Sequence, residues 1–204
     1  PQVLVCAPSN AAVDWITLQL VQQGVHTLRI GNPVRISQET INCSYEHRYA
    51  DHPDYLELLS IRRLLREPQV LAGNSHQRQA RLRTLRQRQT ELEIKINADL
   101  FNQARVITCT LIGSAYKIME RRHFHTLFID EAAQALEPAC WAAIVKADRV
   151  VLGGDHQQLP PTVKSPEAAR GGLGETLMQH LVKHKPNCVT LLTTQYRMNS
   201  DIMA

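Results

Sequence analysis

Short apolar runs rich in β-branched residues recur along the chain, at Val3–Cys6, Thr27–Ile30, Val106–Cys109, Thr126–Ile129, Val150–Leu152 and Val189–Leu192. Between most of them lie helical patterns, at Ala11–Gln23, Ile112–Arg122, Pro138–Ala147 and Glu175–Lys185. Strands that are apolar throughout have no solvent side, so this alternation predicts an α/β fold with a parallel sheet and helices on both faces. Right-handed crossovers bring the C-terminal end of every strand to one edge, and ligands of open sheets collect there. The segments to read for chemistry are therefore those that follow the strands: APSN, TCT, DEAAQ, GGDHQQ and TTQYR.

Between the second and third runs the alternation stops. Tyr55–Glu67 and His76–Leu100 read as two long helices joined by the loop EPQVLAGNSH. Leu58, Ile61 and Leu65 form a stripe on the first, and Leu82, Leu85, Leu92 and Ile96 one on the second, interrupted by Gln89. The matching stripes predict a helical hairpin projecting from the sheet. Its other faces carry Arg78, Arg81, Arg83, Arg86 and Arg88. Such a charge run is either a phosphate-contacting surface or an ordinary solvated helix face.

Composition narrows the class. A chain of 204 residues, 44% hydrophobic and 21% charged, supports one folded domain of ordinary size, or one with a subdomain, rather than disorder. Aromatics at 5% argue against a base-stacking platform of many rings. The net charge of +4 permits a nucleic-acid partner without requiring one. Cys6, Cys43, Cys109, Cys140 and Cys188 form no C-x-x-C pair, and three lie in apolar runs, which predicts a reduced, intracellular protein with buried thiols. No apolar run reaches the roughly 18 residues of a membrane span, and the start PQVLVCAPSN has no signal-peptide pattern. A first residue that is not Met, and an end at QYRMNSDIMA where a helix begins, lead us to expect a segment of a longer chain. Trp15 and Trp141 read as packing residues. His180, His184 and Cys188 have ligand spacing but no accompanying carboxylate, and Pro186 ends the helix before Cys188, so they read as surface residues.

The chemistry concentrates in three segments. In LFIDEAAQALEP, an apolar strand ends in adjacent acids, Asp130 and Glu131. Magnesium is held by one or two carboxylates plus substrate phosphates, and a second carboxylate next to the first can activate water. The alternative is a helix N-terminus, which also favours acids. In VVLGGDHQQLPPTV, Gly153 and Gly154 allow a tight turn that presents Asp155, Gln157 and Gln158 on the ligand edge. In LLTTQYRMN, Arg197 supplies a forked cation suited to a γ-phosphoryl group. CAPSNAAVD and VITCTLIGSA add small hydroxyl and amide groups at Ser9, Asn10, Thr108 and Thr110, suited either to capping or to backbone phosphates of a single strand.

LFIDEAAQALEP, VLGGDHQQLPPTV and TTQYRMN, in this order, resemble motifs of the superfamily 1 helicases, and most closely the branch that includes the nonsense-mediated decay helicase and senataxin. CAPSNAAVD resembles motif Ia of that branch, VITCTLIGSA its motif Ib, and the helical insert its small helical subdomain. The resemblance covers nearly the whole chain. It implies a RecA-like NTPase sheet at residues 1–31 and 104–204 with an inserted helical hairpin subdomain at 32–103. It implies ATP and Mg2+ as cofactors, with Asp130 serving the metal and Glu131 activating water. Gln158 would sense the γ-phosphate, Asp155 would link that sensor to the nucleic-acid side, and Gln195 and Arg197 would lie at the nucleotide. Pro8, Ser9, Asn10, Thr108 and Thr110 would touch the backbone of single-stranded RNA or DNA. The family moves 5′ to 3′, with two RecA-like domains that close on ATP, and a monomer is expected.

One departure stands out. The phosphate loop G-x-x-x-x-G-K-[ST] does not occur, and GGLGET at Gly171–Thr176 has no lysine where one is needed. The resemblance places that loop upstream of Pro1 and the second motor domain after Ala204, so the chain by itself is expected not to hydrolyse ATP. The rival reading is a catalytically inactive module that binds nucleic acid or protein through the arginine-rich hairpin. A small-molecule kinase shares the sheet and the acids but leaves TTQYRMN and the hairpin without a role.

Overall fold

The computed structural model describes residues 1–67 and 75–194. Five parallel strands form its centre: β1 (Val3–Ala7), β2 (Thr27–Ile30), β3 (Val106–Thr110), β4 (Phe124–Ile129) and β5 (Ala147–Leu152). Their order is β2-β3-β1-β4-β5, so the chain runs from β1 to the edge strand β2, returns to β3 between them, then crosses β1 to β4 and β5. Ligand crevices in open sheets form where the strand order reverses in this way. In register, Cys6 of β1 lies opposite Cys109 of β3 and Ile129 of β4. These residues, with Leu4, Leu28, Ile107 and Leu127, are buried and make the sheet's share of the core.

Helices flank the sheet: α1 (Asn10–Gln22), α2 (Tyr45–Ala50), α3 (Tyr55–Leu64), α4 (Ser75–Gln103), α5 (Glu137–Ile144), the one-turn α6 (Pro166–Ala168) and α7 (Leu177–His184). Ser9 caps α1, its hydroxyl accepting from Ala12 N at 3.1 Å. The predicted hairpin forms from α3 and α4. Leu58, Ile61, Leu92 and Ile96 are buried in one cluster with the strand residues, so the root of the hairpin shares the core of the sheet. Arg88 grips Glu57 with two bonds of 2.7 and 3.0 Å, Arg62 bonds Glu93 at 2.8 Å, and the Tyr45 hydroxyl reaches Asn97 at 2.6 Å. The 29 residues of α4 make a rod about 43 Å long. Most of the connecting loop lies outside the described residues.

Three expectations change. The sixth run, Val189–Leu192, makes no strand: it lacks regular structure, and Leu191 and Leu192 are exposed. A β-rich composition fits a pleated surface, but a strand exists only where a neighbour completes its ladder. The stretch Ile112–Arg122 is not one helix but two 3-10 turns, Ile112–Ala115 and Lys117–Met119. Tyr116 between them is extended, at φ −62° and ψ 146°, which stops helical propagation. Trp15 and Trp141 are 63% and 47% exposed rather than packed. The buried thiols follow expectation at Cys6, Cys109 and Cys140, and Cys43 joins them while Cys188 is exposed. Among the described residues no helix is long and apolar enough to cross a membrane.

Candidate functional site

The acid doublet sits where β4 leaves the sheet. Asp130 N still donates to Cys6 O, at 2.8 Å, so the ladder carries the first acid to the carboxyl edge. The chain then reverses through Glu131, at φ 52° and ψ 38°, the one non-glycine with positive φ among the described residues. A left-handed conformation costs a side-chain-bearing residue about 1–2 kcal/mol, so the surroundings must impose it. They do so through three bonds. Gly153 N donates to Ile129 O, Ala132 N donates to Gly153 O, both at 2.8 Å, and Gln134 N closes the turn onto Glu131 O at 2.9 Å. The acidic turn and the turn after β5 are thus zipped together.

Both glycines in the second turn serve this approach. A Cβ at Gly153 would stand 3.6 Å from Asp130 Oδ1, in the space beside the carboxylate. Gly154 has φ 152°, and a Cβ there would stand 3.1 Å from Ala132 N and 3.2 Å from Ala133 N. Asp130 is half-buried, and among the described residues its carboxylate has no hydrogen-bond or ion-pair partner. The neighbouring carboxylate is oriented, with Glu131 Oε2 accepting from Gln134 Nε2 at 3.1 Å. A free hard-oxygen donor on this edge fits magnesium, which takes one or two protein carboxylates and fills its remaining positions with water and phosphate.

Beyond the glycines, Asp155 organises its own loop. Its Oδ1 accepts from Gln157 N at 2.9 Å and its Oδ2 from Gln158 Nε2 at 3.3 Å. Asp155 and Gln158 are exposed. Gln195 and Arg197 lie outside the described residues. The Gly171–Thr176 segment is not a phosphate loop: Gly171–Leu173 end a π-helical turn, and Thr176 caps the next helix. Thr176 and Gln179 form a reciprocal capping box on α7, with bonds of 2.9 and 3.2 Å. A cavity of about 570 Å3, lined by Glu137, Pro138, Trp141, Gly171, Leu173 and Glu175 among others, includes none of the candidate catalytic residues. His180 faces two carboxylates, Glu137 at 3.1 Å and Glu175 at 2.7 Å, which raise its pKa, the Glu175 bond foremost. Among the described residues no group of three or more His, Cys, Asp or Glu side chains could hold a metal ion.

The residues expected at a nucleic-acid strand divide. Pro8 and Ser9 are exposed at the carboxyl end of β1. Thr110 ends β3, half-exposed, its Oγ1 accepting from Gly113 N at 3.0 Å. Thr108 is not brought to the edge: it is fully buried, and its hydroxyl shares a hydrogen with Thr17 at 2.8 Å. Side chains two apart in a strand share a face, so Thr108 meets α1 while Thr110, at the strand's end, clears it.

Asn10 is tied to a feature that the sequence reading missed. Arg29, in the middle of β2, is fully buried. Its Nε donates to Asp14 Oδ1 at 2.7 Å, its Nη1 to Ile30 O at 2.6 Å and its Nη2 to Asn10 Oδ1 at 2.9 Å. Asp14 Oδ2 also accepts from Ser37 N at 2.8 Å. One guanidinium therefore fixes the start of α1 to β2 and, through Asp14, to the loop beyond it. The available signal was a pair of opposite charges at positions otherwise apolar, Arg29 within TLRI and Asp14 between Val13 and Thr17 on the buried side of α1.

The family described as an AAA domain matches residues 1–69 and 57–166. DNA-binding protein SMUBP-2 of Mesocricetus auratus is 34% identical over 214 residues, covering 98% of this chain and 21% of the relative. ATP-dependent helicase NAM7 of Saccharomyces cerevisiae is 36% identical over 205 residues, covering 97% of this chain and 19% of the relative. The Regulator of nonsense transcripts 1 homolog of Arabidopsis thaliana is 34% identical over 203 residues, covering 97% of this chain and 15% of the relative. The chain thus spans about a fifth of the length of these curated relatives or less.

Proposed function

From the premise that the chain belongs to the superfamily 1 helicases, we propose that it supplies most of the first motor domain of an ATP-dependent helicase or translocase moving 5′ to 3′ on single-stranded RNA or DNA. The observation that carries this reading is the edge geometry. The Asp130 carboxylate is left without a partner among the described residues, beside a left-handed Glu131 that backbone bonds clamp to the turn after β5.

In this reading Asp130 holds Mg2+, which when bound neutralises phosphate charge. Glu131 accepts the proton of the attacking water, and its bond to Gln134 sets the carboxylate's orientation. Asp155 holds Gln158 at the same edge, so a glutamine that reads the γ-phosphate is coupled to its loop. Gln195 and Arg197 act at the nucleotide, Arg197 as the cation on the transferred group. Pro8, Ser9 and Thr110 contact the strand's backbone, Asn10 is held in place by Arg29, and Thr108 supports α1 through Thr17 rather than touching the ligand. The motor works as a monomer inside the cell.

The test is Glu131→Gln in the full-length protein, with ATP turnover and single-strand affinity measured together. Loss of a positioned general base is expected to lower turnover by about 10²–10⁴-fold and to leave affinity within twofold. Turnover equal to the parent's would overturn the assignment. An inactive binding module would show no magnesium-dependent turnover in the parent itself.

A further inference from the structure

The buried guanidinium of Arg29 does more than close an ion pair. Asp14 already balances its charge, with Nε donating to Oδ1 at 2.7 Å, and Ile30 O accepts from Nη1 at 2.6 Å. The third bond, from Nη2 to Asn10 Oδ1 at 2.9 Å, adds nothing to charge neutrality. It reaches the first residue of α1, on the carboxyl edge beside the exposed Pro8 and Ser9. The surroundings hold the guanidinium closely: a Cβ at Gly31 would stand 2.8 Å from Nη1, and Ser37 N fixes Asp14 from its other side at 2.8 Å. Asn10 therefore takes its orientation from Arg29, not the reverse.

That orientation has a chemical consequence. An asparagine amide carries an acceptor at one end and donors at the other, and by shape alone either end could face inward. A guanidinium has donors only, so it is the oxygen that meets it. The nitrogen then faces away from Arg29. Asn10 is half-buried, and among the described residues its Nδ2 has no partner. No buried side-chain nitrogen or oxygen among those residues is left unpaired, so Nδ2 reaches the surface. The edge is thus offered a donor, not a carbonyl. A backbone phosphate presents acceptors and takes hydrogen bonds from asparagine amides of this kind.

We infer that Arg29 is a positioning residue for strand binding: it fixes the Asn10 amide with its nitrogen outward, as a hydrogen-bond donor to a backbone phosphate of the bound nucleic acid. That Asn10 meets the strand at all rests on the motor reading above. The polarity of the contact, and its dependence on a buried residue that never touches the ligand, go beyond that reading.

Asn10→Asp is the deciding variant. It is compared with the full-length parent for thermal midpoint and for binding to fluorescent single-stranded oligonucleotides without ATP. Aspartate keeps an oxygen towards Arg29 and puts an acid in the first turn of α1, where the helix dipole favours it, so the midpoint should hold or rise. It also replaces the outward donor with an oxygen that repels phosphate. Affinity should therefore fall about tenfold or more, the worth of a hydrogen bond to a charged group. A residue that only started the helix would leave affinity as it was. The part of Arg29 is read from a second pair of variants. Arg29→Met with Asp14→Leu removes both buried charges together and leaves neither unpaired. Adding Asn10→Ala in that background should weaken binding by less than about twofold, against about tenfold in the parent, because the amide is no longer aimed. If the paired variant does not fold, Asn10→Asp alone decides. Affinity of Asn10→Asp within about twofold of the parent's, or an Asn10→Ala loss equal in both backgrounds, would overturn the inference. A parent that binds no single strand would overturn the motor reading with it. Because no ATP is present, the outcome is separate from that of the Glu131→Gln turnover test.

Discussion

Replacing Gly154 with alanine sets the clamp around the acid doublet against the backbone that closes it. The added Cβ would stand 3.1 Å from Ala132 N and 3.2 Å from Ala133 N, and 3.4 Å from Met178 Sδ. The sulfur can swing aside. The two nitrogens cannot, since Ala132 N is bonded to Gly153 O and the turn is closed from Gln134 N to Glu131 O. The φ of 152° adds strain that an L side chain does not relieve. Strain of this type costs about 1–3 kcal/mol and overpacking a similar amount, so about 2–4 kcal/mol in total is expected after partial relaxation. For a domain of this size that lowers the melting midpoint by about 4–16 °C. Thermal unfolding of the 1–204 chain by circular dichroism reads the stability. ATP turnover of the full-length variant, well below its midpoint, reads the function, and it should fall because the turn carrying Glu131 has to move. Gly171→Ala is the control: nothing lies within 4 Å of its would-be Cβ, so the midpoint should hold or rise slightly. A Gly154→Ala midpoint within about 1 °C of the parent would refute the claim that the two turns are in forced contact.

Two further substitutions probe the supports of the edge. Asp14→Ala leaves the buried guanidinium of Arg29 without its carboxylate and should cost about 3–5 kcal/mol in urea unfolding, part of it recovered by adding Arg29→Met; a loss below about 1 kcal/mol would contradict the network. His180 is held above its ordinary pKa by Glu175 first and Glu137 next, so the stability that its protonation contributes is complete below its unfolded value of about 6.5. That contribution is lost as pH rises through the raised folded value, while the Glu175 carboxyl, held below its ordinary range by the same bond, limits it only in acid. The gap in unfolding midpoint between parent and His180→Gln should therefore close from pH 6 towards alkaline pH, and a constant gap would rule the pairing out.

The parts of the fold legible in the sequence were those set by local repetition. The runs that became β1 to β5 are apolar over several residues, and the hairpin carries matched stripes at Leu58 and Ile61 and at Leu92 and Ile96, all four of which are buried. The run at Val189 carried the same signal and formed no strand, because the deciding quantity was a neighbour for its ladder rather than its own composition. Trp15 failed in the opposite direction, with apolar neighbours in sequence and solvent over much of its ring.

At the candidate site the division is finer. The order of residues determined which groups are present: two adjacent acids after an apolar strand, a glycine pair followed by Asp155 and Gln158, small polar residues after two more strands. It also determined that they share an edge, because parallel strands joined by right-handed crossovers all point one way. Only the tertiary structure decided which of them face outward and in what conformation. Glu131 is left-handed because backbone bonds from the turn after β5 enclose it; Thr108 is buried because α1 covers it; Asn10 is fixed because a charge in the next strand, 19 positions on, donates to it. Periodicity records what each residue can do beside its sequence neighbours, whereas these outcomes depend on partners distant in sequence, set by close packing and by the cost of leaving a buried polar group unpaired.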